Sequence, residues 1–200
     1  EKKLGERGIK VLTEATAKNI AGEGKVSAVE LGNGESLKAD AVIIGIGAVP
    51  NTELAKKAGL EIGPMRGIQV DEYMRTVTDE NIFAAGDCAE KFSFFTKKPS
   101  GLRLASIAAI EAHIAGANLF KLKRKNEGAI GVFATIIGED CFSVAGLTEK
   151  AAKDAGYDIV TGECAAPDKH PGGMPGSKQE KIKLIVDKKS GKVLGGEMLG

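Results

Sequence analysis

Ile68-Gln-Val-Asp-Glu-Tyr-Met-Arg-Thr-Val-Thr-Asp-Glu-Asn-Ile-Phe-Ala-Ala-Gly-Asp87 is the stretch on which the reading of this chain turns. It predicts an extended segment, a polar turn, and an apolar strand that ends on a small-small-Gly-Asp step. Ala84, Ala85 and Gly86 let a ligand approach the backbone closely, because almost nothing projects from the chain there. Asp87 then sets an acceptor-only carboxylate at the carboxyl end of the strand, where open α/β sheets bind their ligands. Such a group suits a ligand hydroxyl, as on a ribose or ribitol chain. The plainer reading of the same step is an ordinary turn that Asp87 caps.

Working outward, the segment before it runs Gly45-Ile-Gly-Ala-Val-Pro-Asn51 into a helix-like Thr52 to Ala58 that Gly59 stops. Ala41 to Ile46 is apolar without alternation, the pattern of a strand covered on both faces. Between Gly8 and that run the chain reads as strand throughout: Ile9 to Thr13, Thr16 to Ile20, and Lys25 to Leu31. Gly32-Asn33-Gly34 marks a hairpin after the last of these. On the other side, Leu104 to Lys121 is the longest helical pattern, with Leu104, Ile107, Ala108, Ile110, Ile114 and Leu119 as its apolar side. Lys121 to Asn126 is a charged linker. Beyond it, Thr148 caps a helix over Glu149 to Ala155 and Gly156 stops it. Tyr157 to Ala165 and Lys181 to Val186 read as strands, and Asp187 to Gly191 as a hairpin loop into a final one. Strands grouped after a helix at this spacing predict a separate α+β domain.

Composition narrows the possibilities further. The 200 residues carry 28 basic and 27 acidic side chains, so the net charge is close to zero. No basic stripe suggests nucleic acid and no polybasic tail suggests a membrane surface. The longest apolar run, Ala41 to Val49, is far below the roughly 18 residues a bilayer span needs. Glu1-Lys2-Lys3-Leu4 leads into no signal-peptide core. Cys88, Cys141 and Cys164 are widely spaced, a set that fits a reducing compartment better than a disulfide framework. A soluble cytoplasmic protein is expected, and no cluster has metal-ligand spacing. Both ends look cut: residues 2–7 carry a helix-like charge pattern with no cap before it, and Lys192 to Gly200 is a strand with nothing behind it.

Taken in order, the Gly45 to Asn51 crossover, the Thr76/Thr78…Ile82-Phe-Ala-Ala-Gly-Asp87 segment and the Leu104-Ala-Ser…Ala115-Gly-Ala-Asn118 helix resemble the flavin-dependent pyridine nucleotide-disulfide oxidoreductases. Within them the chain looks most like the NADH oxidase, NADH peroxidase and coenzyme A-disulfide reductase branch, and the likeness runs over essentially its whole length. The resemblance implies an α/β architecture in three pieces. Residues 1–45 would be the end of a Rossmann-like NAD-binding domain, 46–123 the second segment of a FAD-binding domain, and 124–200 part of an α+β dimerisation domain that forms a homodimer. It implies a parent enzyme that passes hydride from NAD(P)H to FAD and electrons onward to oxygen, peroxide or a disulfide. A coenzyme A-disulfide or polysulfide reductase of the same branch, and a non-catalytic dimerisation module, are the alternatives. This stretch alone, without the pyrophosphate-binding loops, is expected to be inactive.

The resemblance also distributes roles. Gly86 and Asp87 would meet the ribitol chain of FAD, and Leu104, Ala105 and Ser106 would aim a helix start at the flavin's pyrimidine edge, where negative charge develops on reduction. Gly47 would lie near the nicotinamide cofactor. Gly45-x-Gly47 is not a phosphate cradle in its own right, since the third glycine of G-x-G-x-x-G is replaced by Pro50. The interval from Thr76 to Ile82 is one residue longer than the family's usual form, so Thr78 competes for the threonine's place. His113 reads as a packed or surface residue. His170 sits in a loop where the family often has His-Pro before two tyrosines; here Gly173 and Met174 stand in the tyrosines' places, which argues against coenzyme A disulfide. No residue of the chain is assigned a catalytic role, the three cysteines included. Phe133-Ala-Thr135 would border the nicotinamide pocket by analogy.

Overall fold

The computed structural model describes residues 2–200, and the chain divides into two compact units, Glu1–Gly47 and Ala48–Gly200. In the first, helix α1 (Lys2–Glu6) precedes three strands, β1 (Ala17–Gly22), β2 (Val26–Leu31) and β3 (Ser36–Lys38). They form an antiparallel sheet in the order β1-β2-β3, and Val29 stands opposite Leu37 across the predicted Gly32-Asn33-Gly34 hairpin.

Two predicted strands of this unit do not form. Ile9 to Thr13 is irregular, and so is Ala41 to Ile46, where Ile43 and Ile46 are 97% and 92% exposed. A strand needs a neighbour to take up its N–H and C=O groups. Apolar composition alone supplies none, and β3 pairs only with β2.

The second unit opens with α2 (Glu53–Lys57). Thr52 occupies its N-cap position but makes no side-chain capping bond. Of the extended segment, polar turn and apolar strand expected over Ile68–Asp87, neither outer part forms a regular strand. The stretch folds back on itself through isolated bridges, Val70 with Thr76 and Arg75 with Phe83. The reason lies in its own polar side chains. Asp71 Oδ1 accepts from the backbone N–H groups of Tyr73 and Arg75 at 2.8 and 3.0 Å, which draws the chain into a turn in place of a ladder. Thr76 settles the spacing: its N–H donates to Ile82 O at 2.7 Å and its hydroxyl to Asp79 O at 2.7 Å. Thr78 is exposed and accepts from Glu61 N instead. Ile68, Val70, Met74, Ala84 and Ala89 close over Ile114 to make the core beneath this stretch.

A short ribbon, β4 (Lys91–Phe92) with β5 (Pro99–Ser100), leads to α3 (Ala105–Asn118). The helix is shorter than predicted and turned differently. Ile107, Glu111, Ile114 and Asn118 are its buried residues, whereas Ile110 and Leu119 face solvent. Asn118 is satisfied in burial: its amide donates to Tyr73 O and Arg124 O, and its Oδ1 accepts from Lys123 N and Arg124 N.

The rest is a five-stranded antiparallel sheet made by β6 (Val132–Ile137), β7 (Asp140–Gly146), β8 (Ile159–Pro167), β9 (Gln179–Asp187) and β10 (Val193–Leu199), in the order β6-β7-β10-β9-β8. Strands β6 and β7 lie beyond the sequence reading above. Helix α4 (Glu149–Asp154) starts where predicted, with Thr148 Oγ1 accepting from Ala151 N at 3.2 Å. It covers one face of the sheet, burying Ala152 against Ile185 and Leu194. Register places Val132, Leu184, Met198, Ile182 and Val160 together on the opposite face, and of these Val132, Leu184, Ile182 and Val160 are exposed.

An ion-pair relay ties α4 to the sheet. Glu149 accepts from Lys153 at 2.6 Å and from Lys183 of β9, and the two ammonium groups, Lys153 first, hold its carboxyl down to about 2. Because the folded value lies below the ordinary 4.5, the contribution to stability is present above about 4.5 and is lost as pH falls through about 2. Replacing Lys183 by Met is expected to raise the Glu149 carboxyl value toward the ordinary one, as read by NMR titration. An unmoved midpoint would show that the relay does not set it.

Candidate functional site

The site is built where the chain leaves its small-residue step. Gly86 adopts φ +81°, a left-handed conformation open to glycine, and starts one turn of 3-10 helix, Gly86–Cys88. That turn lies against α3: a Cβ placed on Gly86 would stand 3.5 Å from the Ala108 Cβ. Asp87 is exposed, and its carboxylate takes part in no hydrogen bond or ion pair among the described residues. The Cys88 thiol, half-buried, donates to Ala85 O at 3.4 Å.

Leu104 is the N-cap of α3, with extended backbone (φ −135°, ψ 138°) and no side-chain capping bond. The N–H groups of the first turn therefore have no cap from the chain itself, and they carry the positive end of the helix dipole. Ala105 and Ser106 are exposed at this start. The structure thus brings Gly86 and Asp87 to the same helix that Leu104, Ala105 and Ser106 begin. Gly47 belongs to the first unit and adopts φ +94°.

Five residues that support this arrangement escaped the sequence reading. Glu111, 2% exposed, accepts from Gly86 N at 2.9 Å and from Lys91 Nζ at 2.9 Å. Lys91, 3% exposed, donates in addition to Gly86 O. Glu90, also buried, accepts from the N–H groups of Met65 and Gly67, both at 2.8 Å. Gly67 is obligatory at this approach, since a Cβ there would sit 2.5 Å from Glu90 N. Arg103, just before α3, donates to Met65 O at 2.9 Å and so ties the helix start to the same loop. In the helix Glu111 shares a buried stripe with residues 107, 114 and 118, and a carboxylate there needs a partner, which Lys91 supplies from far along the chain.

The other candidates stand apart. His113 is exposed on α3 and His170 is exposed in the loop between β8 and β9. Cys88, Cys141 and Cys164 are all free. No group of His, Cys, Asp and Glu among the described residues could hold a metal ion, and no helix among them is long and apolar enough to cross a membrane.

Fold and site together define an α/β chain that carries an exposed carboxylate on a turn packed against a helix with no side-chain cap, followed by an antiparallel sheet. A family profile described as pyridine nucleotide-disulphide oxidoreductase matches residues 1–112, and one for the dimerisation domain of the same group matches residues 133–200. The chain belongs to the pyridine nucleotide-disulphide oxidoreductase family.

It is 35% identical over 182 residues to a CoA-dependent NAD(P)H sulfur oxidoreductase of Pyrococcus furiosus, covering 91% of this chain and 40% of that protein. To an NADH oxidase of Methanocaldococcus jannaschii it is 34% identical over 200 residues, covering 100% of this chain and 44% of that one. A solved FAD-dependent pyridine nucleotide-disulphide oxidoreductase from Desulfovibrio vulgaris superposes with a TM-score of 0.80 at 34% identity, covering 100% of this chain and 47% of that one. The chain therefore spans less than half the length of these relatives.

Proposed function

We propose that the chain is the C-terminal portion of a FAD-dependent NAD(P)H oxidoreductase of the NADH oxidase type. The observation that carries this reading is the exposed Asp87 carboxylate on a glycine turn packed against α3 at Ala108 and Glu111, the helix whose start at Leu104 has no side-chain cap. Ala84 and Ala85 pack into the core, so Gly86, which has no side chain, is the residue that leaves room for a ligand, and an acceptor-only carboxylate fits the hydroxyls of a ribitol chain. FAD, when bound, would supply the hydride and electron chemistry between NAD(P)H and the final acceptor. Asp87 would hold the sugar-alcohol chain. The backbone N–H groups that follow Leu104, at Ala105 and Ser106, would face the electron-rich edge of the ring with fixed positive dipole, oriented before the reaction and needing no rearrangement. Gly86 would let the ligand lie close, and Gly47 would border the nicotinamide cofactor.

In this reading residues 1–45 end the NAD-binding domain, 46–123 form the second FAD segment and 124–200 belong to the dimerisation domain. The exposed apolar face of the five-stranded sheet supports a homodimer through that last segment. Free, widely spaced thiols fit a cytoplasmic location.

A second reading has its own support, namely the similarity to the sulfur oxidoreductase above. Under it the electrons go to a disulfide or polysulfide. Gly173 and Met174 stand where the resemblance places two tyrosines, which argues against coenzyme A disulfide as that acceptor.

The test is to reconstitute the whole protein with FAD and add NADH under anaerobic conditions. The flavin absorbance should bleach, and admitting oxygen should restore it faster than coenzyme A disulfide does. The stretch Glu1–Gly200 alone should stay colourless and should not consume NADH. A whole protein that binds no FAD would refute the proposal.

A further inference from the structure

The Lys91–Glu111 pair is an unusual thing to find beneath an exposed turn. Both side chains are almost wholly buried, and removing two charges from water is costly unless every remaining bond is made. Here most of the bonds are made to one residue. Glu111 accepts from the N–H of Gly86, and Lys91 donates a hydrogen bond to its C=O. The ammonium also reaches Ala89 O at 3.4 Å, on the far side of the same turn.

Gly86 is the residue before Asp87, and as a glycine in the left-handed region it is the joint with the most freedom in the segment. Gripping it by both backbone groups removes that freedom and fixes the direction in which the next side chain leaves. The anchor is α3 itself, because Glu111 lies on its buried stripe. The turn bearing the carboxylate and the helix bearing the uncapped N–H groups are thereby held as one piece.

We infer that Lys91 and Glu111 are positioning residues for the cofactor: they fix the turn that bears Asp87 to α3 without touching the ligand themselves. The inference rests on the assignment of Asp87 to FAD. A binding site whose polar groups are already oriented loses less freedom when the ligand arrives, so the pair should act on affinity through Asp87.

The test measures FAD dissociation constants in the whole protein for Asp87→Asn and for the double substitution Lys91→Met with Glu111→Leu, separately and combined. The double substitution replaces the buried pair by apolar groups of similar size, a change that buried pairs often tolerate. FAD affinity is expected to fall by roughly tenfold in the double variant. Adding Asp87→Asn to it should then lower affinity by much less than Asp87→Asn does in the wild type, because the two act along one line. Should Lys91→Met with Glu111→Leu fail to fold, Lys91→Met with Glu111→Gln serves in its place. It keeps an acceptor for Gly86 N and should fall between wild type and the full loss.

Unchanged FAD affinity in the folded double variant would overturn the inference. So would an Asp87→Asn effect of full size in its background. A wild-type protein indifferent to Asp87→Asn would instead overturn the assignment of Asp87 itself, so the two failures are told apart.

Discussion

Met74→Ala is expected to destabilise the second unit by about 3 kcal/mol. Met74 is fully buried, and Ile68, Val70, Ala84 and Ile114 belong to the same core cluster. Its backbone carbonyl accepts from Ala84 N at 3.1 Å, and its sulfur accepts from Asn126 Nδ2 at 3.2 Å. It also holds a left-handed backbone conformation, φ +70°, that side-chain-bearing residues rarely adopt. Alanine carries the same Cβ, so that strain is unaltered and the measured loss reports the cavity together with the lost Asn126 contact. For a unit of this size the midpoint of thermal unfolding should drop by roughly 6–12 °C. Met74→Leu, which conserves volume, should cost less than about 1.5 kcal/mol. An alanine variant that melts with the wild type would mean that the core beneath the Asp87 turn is not organised around this side chain.

Local signals carried the sequence reading furthest. Thr148 before Glu149, Asn33 before Gly34, and the Asp187–Gly191 loop each bind their own neighbouring backbone, and each stands where the sequence places it. What the sequence did not reveal depends on partners far along the chain. Ala41 to Ile46 has the composition of a buried strand but no edge to pair with, so it stays irregular. The Ile68–Asp87 stretch reads as an extended segment, a turn and a strand, yet Asp71 and Thr76 take up N–H groups of Tyr73, Arg75 and Asp79 in turns.

In α3 the apolar residues alone suggested a face that includes Ile110 and Leu119. The real face is rotated because Glu111 and Asn118 find partners 20 and 45 positions away, at Lys91 and Tyr73. A polar residue on a buried stripe is legible only once its distant partner is known. Gly86 and Leu104 to Ser106 are by contrast backbone features written in consecutive positions, so a glycine turn and a helix start there can be read locally.

Asp87 itself is exposed and bears no contact that the fold needs. Its replacement should therefore leave thermal stability of the FAD-free protein unchanged while affecting the ligand strongly. A hydrogen bond to a charged group contributes about 1.5–3 kcal/mol, which corresponds to a loss of roughly ten- to more than a hundredfold in affinity. The decisive measurement is a titration of the FAD-free whole protein with FAD, wild type against Asp87→Ala, followed by the change in flavin fluorescence. A dissociation constant weakened at least tenfold at an unchanged melting temperature is the predicted result; equal affinity in the two proteins would contradict it.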